Sequence, residues 1–133
     1  TPEERLDIYL QVLECSEEKF KRIVEKGLVN IIKMKNECLK LLPFAELNID
    51  FDKNGKELSI VDIPMKKYHL TKYITELVEV EYPEHQVLRL KYDKPGKTVY
   101  SLRSLHKDIR VDLLAQKYGG NGHSAASGYN LNI

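Results

Sequence analysis

At Pro43 the spacing of apolar residues changes, and that change divides the chain into two kinds of structure. Before it, Val24, Gly27, Ile31, Met34, Cys38 and Leu41 recur in alternating steps of three and four, the seam of a long amphipathic helix. Pro43 ends such a helix, because its ring removes a backbone donor and clashes with the preceding turn. After it the period is two: Leu47, Ile49 and Phe51 alternate with Glu46, Asn48, Asp50 and Asp52. The expected organisation is a helical connector over 1–43 and an α+β domain over 44–133.

Within the connector, Thr1, Pro2 and Glu4 read as an N-cap, a first helical position and the partner of a capping box, with a first helix running to about Glu14. Ser16, Glu17 and Glu18 restart a second helix. Its seam needs a partner: the first helix, the following domain, a second copy, or a domain outside this stretch of sequence. The capped opening and the lack of an initiator Met suggest a piece of a longer protein. In the domain, Lys53-Asn54-Gly55-Lys56 turns the first strand into a second over Leu58–Ile63, and a helix is expected from Pro64 to Val80. Strands come next over Gln86–Tyr92 and Thr98–Ser104 around Asp93-Lys94-Pro95-Gly96, then a helix over Ile109–Tyr118 and a closing strand over Tyr129–Ile133. The fold class is therefore α+β: a five-stranded, mostly antiparallel (mixed) sheet with two or three helices, preceded by two N-terminal helices and without internal repeat.

Charge narrows the partners. The net charge of +1 excludes a strongly basic nucleic-acid binder, but the distribution is uneven. Residues 97–133 carry five bases, Lys97, Arg103, Lys107, Arg110 and Lys117, against two acids. No apolar run approaches the ~20 residues of a membrane span and no secretory segment is present, so a cytoplasmic protein is expected. Cys15 and Cys38 lack metal-ligand spacing and read as reduced thiols.

The positive excess surrounds Gly119-Gly120-Asn121-Gly122-His123-Ser124-Ala125-Ala126-Ser127-Gly128, which holds four of the seven glycines and a lone histidine. Glycines permit positive φ and close approach of another molecule to the backbone. Gly119 falls where the preceding helix takes its C-cap, and His123-Ser-Ala-Ala-Ser is expected to start another helical turn with free N–H groups. Such a loop suits an anion, phosphate above all. It also fits a plain tight connection, because it has neither the lysine of a phosphate loop nor the GxGxxG spacing behind a strand.

Two segments together resemble the C-terminal DHH-associated domain of the DHH phosphoesterases, the family of RecJ-type exonucleases, nano-RNA phosphodiesterases and cyclic-dinucleotide phosphodiesterases. Ser101, Arg103 and Ser104 match that family's S-x-R-S strand; Gly119, Gly120, Gly122 and His123 match its GGGH element; Ala126 and Gly128 match the tail. Asn121 stands where the family has a glycine. The resemblance covers roughly residues 44–133 and implies a substrate-binding role for Ser101, Arg103, Ser104, Gly119, Gly120, Asn121, Gly122 and His123. It further implies that catalysis uses two divalent metals, usually Mn2+, held by a separate Asp-His-His domain of the same protein. No such signature occurs here, and His69, His85, His106 and His123 lack metal-ligand spacing, so this chain carries no catalytic residues and no cofactor of its own. His106-Lys107-Asp108 reads as a polar turn. The implied partners are that Asp-His-His domain and a short oligonucleotide or nucleotide phosphate; the heptad seam, taken at face value, adds a second copy through the N-terminal helices. An alternative from another class is a noncatalytic RNA-binding module, since a similar domain ends alanyl-tRNA synthetases; the near-neutral charge weighs against it.

Overall fold

The computed structural model describes residues 17–66 and 70–132. The expected first helix, its cap at Thr1, and Cys15 lie outside these residues. The chain divides into two compact units, residues 1–36 and 37–133, with the division inside the long helix α1, Glu17–Leu41. In the first unit Phe20, Val24, Leu28, Ile31 and Ile32 of α1 are exposed. In the second, α1 ends as expected at a short 3-10 turn, Leu42–Phe44, which contains Pro43 and closes with the Ala45 N–H donating to the Leu42 carbonyl. Cys38 is a free, buried thiol lying 3.8 Å from the Leu70 carbonyl.

Six strands form one mixed sheet in the order β1-β2-β3-β4-β6-β5: β1 Glu46–Phe51, β2 Glu57–Met65, β3 Val87–Lys94, β4 Lys97–Ser104, β5 Asn121–Gly122 and β6 Ala126–Asn132. The sheet thus has one strand more than the five expected, because the glycine segment itself supplies β5. Only β2 and β3 pair in parallel, joined through helix α2, Thr71–Glu81. Parallel neighbours need such a crossover, whereas β1–β2 and β3–β4 close by tight turns with Gly55 at φ 82° and Gly96 at φ 76°. The expected helix from Pro64 starts later, since Pro64 and Met65 extend β2. Pairing of β1 with β2 stops at the Glu46–Asp62 pair, so at Pro64 one side of β2 is free and the missing N–H leaves no ladder bond unmade.

Helix α3, Val111–Lys117, covers one face of the sheet, where Val111, Leu114 and Ala115 meet Leu58, Ile60, Val87, Leu102 and Tyr129 in a buried cluster. Each of these large apolar side chains contributes about 1.5–3 kcal/mol when taken fully out of water. On the opposite face Val61, Ile63, Leu88 and Leu90 are buried, as are Ile74 and Val78 of α2. Edge strand β1 reverses the usual sense of its alternation. Leu47, Ile49 and Phe51 are exposed, while Asp50 points into the α3 side of the sheet. No helix among the described residues is long and apolar enough to cross a membrane.

Candidate functional site

The glycine segment is held from both ends of α3. At the C-terminus Gly119 adopts φ 82°, and the N–H groups of Gly119 and Gly120 donate to the carbonyls of Gln116 and Ala115 at 3.1 and 2.9 Å. This is a Schellman close, the expected C-cap. Beyond it the backbone departs from the expected helix start. Asn121–Gly122 pairs with Ser127 and Gly128 as β5, and a two-residue turn at Ser124-Ala125 leads into β6, closed by reciprocal bonds between His123 and Ala126 at 2.8 and 3.2 Å. The turn reaches back to α3, whose Val111 N–H donates to the Ser124 carbonyl at 2.9 Å. A hairpin prevails over a helical turn because β4 and β6 offer a ladder to pair against; the Ser104 N–H also takes the Ala125 carbonyl at 3.0 Å.

The N–H groups of Gly119, Gly120 and His123 are therefore engaged within the protein, contrary to the expected cradle of free donors. Close packing explains the glycines instead. A Cβ at Gly120 would lie 2.0 Å from the Gly128 carbonyl oxygen, and one at Gly122 would lie 2.6 Å from Ser127 Cα. Asn121 needs no left-handed backbone, since no non-glycine residue among those described has positive φ.

Ser101, Gly119, Gly120 and Asn121 line one groove of about 560 Å3 with Gly128 and Asn130. The β4–β6 register sets Ser101 against Gly128 and Val99 against Asn130, which puts the amides of Asn121 and Asn130 on the face that carries Ser101. Asn130 and Asn132, also at the groove, escaped the sequence reading. The alternation from Tyr129 to Ile133 would have pointed to them once β6 was known to lie beside β4. Arg103 shares that face two residues along; its guanidinium donates to Ser101 Oγ at 3.3 Å and to the Leu102 carbonyl at 2.9 Å. Ser104 turns instead to the His106 carbonyl, inside the polar turn expected there. His123 is exposed at the hairpin tip, its carbonyl accepting from Ser127 Oγ at 2.6 Å.

Of the cations expected to build a local field, two are spent on carboxylates: Arg110 pairs with Asp112 at 2.8 Å and Lys117 with Asp50 at 2.6 Å. Asp50 is the hub of a network that the sequence did not reveal. Arg89 donates to Asp50 at 2.9 Å and grips both oxygens of Asp62, while Tyr118 Oη donates to Asp50 at 2.6 Å. The rings of Tyr100, Tyr129 and Tyr118 stack alongside, with centroids 4.8 and 4.6 Å apart. Burial alone would raise the Asp50 pKa, but hydrogen bonds from Lys117, Tyr118, the Phe51 amide and Arg89 outweigh it and hold the carboxyl well below the ordinary range. Burial pushes the Tyr129 hydroxyl up despite the nearby Arg89 charge. Among the described residues no group of three or more His, Cys, Asp or Glu side chains is placed to hold a metal ion.

No family model and no curated protein matches the chain. Solved structures do. A pGpG-specific phosphodiesterase, PggH from Vibrio cholerae, superposes over 92% of this chain and 40% of its own, with TM-score 0.53 and 16% identity. An exopolyphosphatase-related protein from Bacteroides fragilis matches over 74% of this chain and 28% of its own, with TM-score 0.44 and 18% identity. A DHH-domain protein assigned to a family of ribosomal proteins matches over 84% of this chain and 29% of its own, with TM-score 0.46 and 21% identity. The likeness to PggH is one of fold. The chain spans less than half the length of that phosphodiesterase.

Proposed function

We propose that this chain is the substrate-binding half of a metal-dependent phosphoesterase of the DHH type, acting on short oligonucleotides or nucleotide-like phosphates in the cytoplasm. Arg103 carries the reading. Its guanidinium is braced by two neutral acceptors, Ser101 Oγ and the Leu102 carbonyl, and has no carboxylate partner among the described residues. Arg89 and Arg110 are each neutralised by aspartate. A braced guanidinium with uncompensated charge is a receptor for an anion, and its planar fork takes two phosphate oxygens at once. Ser101 and Asn121 add hydrogen-bonding side chains in the groove, where Gly119 and Gly120 keep the wall low; Gly122, His123 and Ser104, which the resemblance also implied, lie outside its lining. The fold likeness to part of a pGpG-specific phosphodiesterase supports the same reading.

In this division of labour two metal ions, Mn2+ by resemblance, would be held by an Asp-His-His domain of the parent protein and would supply an activated water. The residues of this chain bind and orient the phosphate. Calorimetric titration with a 5′-phosphorylated dinucleotide tests the assignment. Each charge-assisted hydrogen bond is worth about 1.5–3 kcal/mol, so Arg103→Ala is expected to weaken binding by about 10–150-fold, and Arg103→Lys by less. Equal affinities for the native chain and both variants would overturn the role of Arg103. Tight, strongly salt-dependent binding of tRNA with none of the dinucleotide would favour the noncatalytic RNA-binding module instead.

A further inference from the structure

We propose a second phosphate-binding site in the unit of residues 37–133: a lysine-rimmed cavity that takes the backbone of a single-stranded oligonucleotide where it runs past the glycine groove. The proposal rests on the reading of this chain as an oligonucleotide-binding half. The cavity has a volume of about 720 Å3, and Lys40, Lys66, Lys91 and Lys94 surround it with Asp93 as its one acid among the described residues. Four ammonium groups gather there on a chain whose net charge is only +1. Asp93 accepts a hydrogen bond from Thr98 at 3.3 Å, and Lys40, Lys66 and Lys91 have no carboxylate partner among the described residues. Clustered like charges repel one another and set up a positive potential, which a polyanion relieves.

The wall adds what a phosphate alone would not need. Phe44 is 64% exposed, held outward at the end of the Pro43 turn. It lines this cavity and also the adjoining one of about 370 Å3, which Arg89, Lys91 and Tyr100 share. An exposed aromatic ring among lysines is the arrangement on which successive bases stack while the backbone is held by charge. Lysine is a flexible point charge rather than a fork, which fits a backbone of variable course better than one fixed terminal phosphate. The strand register relates the two sites. Lys94 faces Lys97 across the β3–β4 turn, and Lys97 pairs with Asn132, at the end of the glycine groove.

The test compares 5′-phosphorylated single-stranded RNAs of two and seven nucleotides, labelled at the 3′ end, by fluorescence anisotropy over a salt series. The native chain is expected to bind the seven-mer more tightly, with log K falling more steeply against log salt by about two, the release expected for three additional phosphate contacts at roughly 0.7 each. Lys40→Glu with Lys91→Glu, and separately Phe44→Ala, are expected to cost the seven-mer about tenfold or more and to leave the dinucleotide within about twofold. These side chains are exposed, and an unchanged circular dichroism spectrum confirms that each variant folds. Seven-mer affinity and salt slope equal to native in both variants would overturn the proposal, as would displacement of hexaglutamate but not RNA from the cavity, which would assign it to an acidic protein segment. Arg103→Ala separates the two readings. If it weakens both RNAs while the lysine variants change nothing, the second site alone fails; if it changes nothing while the lysine variants lose the seven-mer, the groove assignment fails and the lysine site stands.

Discussion

At Gly120 a single hydrogen in place of a methyl group allows β5 to lie against β6. The obstacle to a Cβ there is backbone, the Gly128 carbonyl oxygen at 2.0 Å, which has no rotamer into which to retreat. Gly119 differs, because a Cβ there meets nothing within 4 Å and the constraint is only its φ of 82°. Gly119→Ala should therefore cost about 1–2 kcal/mol for the left-handed conformation. Gly120→Ala should cost at least the roughly 1–3 kcal/mol of an overpacked core and open the hairpin as well. Urea unfolding checks the order, and amide exchange at His123 and Ala126 reports the opening. Gly119 was legible in the sequence as a cap because a cap is local. The reason for Gly120 was not legible, because it lies in a strand eight residues further on.

Among the elements, β1 shows best what alternation can and cannot tell. The period of two was plain, yet the side that faces inward is the acidic one, because Asp50 finds Arg89, Lys117 and Tyr118 there. Nothing in Glu46–Phe51 announces partners that come from β3 and from the end of α3. Arg89 itself sits between buried Leu88 and Leu90, where an alternating strand is read as apolar inside and polar outside. The network has a pH signature with a definite sign. Asp50 has a folded pKa depressed below its ordinary 3.8, so its contribution is fully present above about pH 4 and is lost as the pH falls below that value. Urea midpoints at pH 7 and pH 3 should show the native chain more stable than Asp50→Asn at pH 7, with the gap narrowing in acid. A gap that stays constant would mean that the carboxylate charge at 50 is not what stabilises the fold. Pro64 eludes a sequence reading for a similar reason, since only the register of β1 reveals that β2 has a free side at that point.

For the molecule as a whole, the change of period at Pro43 was the most legible fact, and the partner of the seam before it was the least. Val24 and Ile31 occupy equivalent heptad positions and are exposed, and β-branched residues there favour two-stranded association. Light scattering is expected to give twice the chain mass for the native protein and the single-chain mass for a Val24→Asp, Ile31→Asp variant; a native chain that scatters as a monomer would leave the seam to a different partner. The sheet unit carries its own consequence, which lies in time rather than in energy. Because α3 grips the hairpin through Gly119 and Gly120 at one end and through the Ser124 carbonyl at the other, the helix is a strut across it. A tip tied this way is not a flap. On the proposed reading, a phosphate arriving at the groove would meet a surface already in its final shape, so its on-rate would be set by diffusion and charge, and its residence time by the contacts it makes, with no closing step between them.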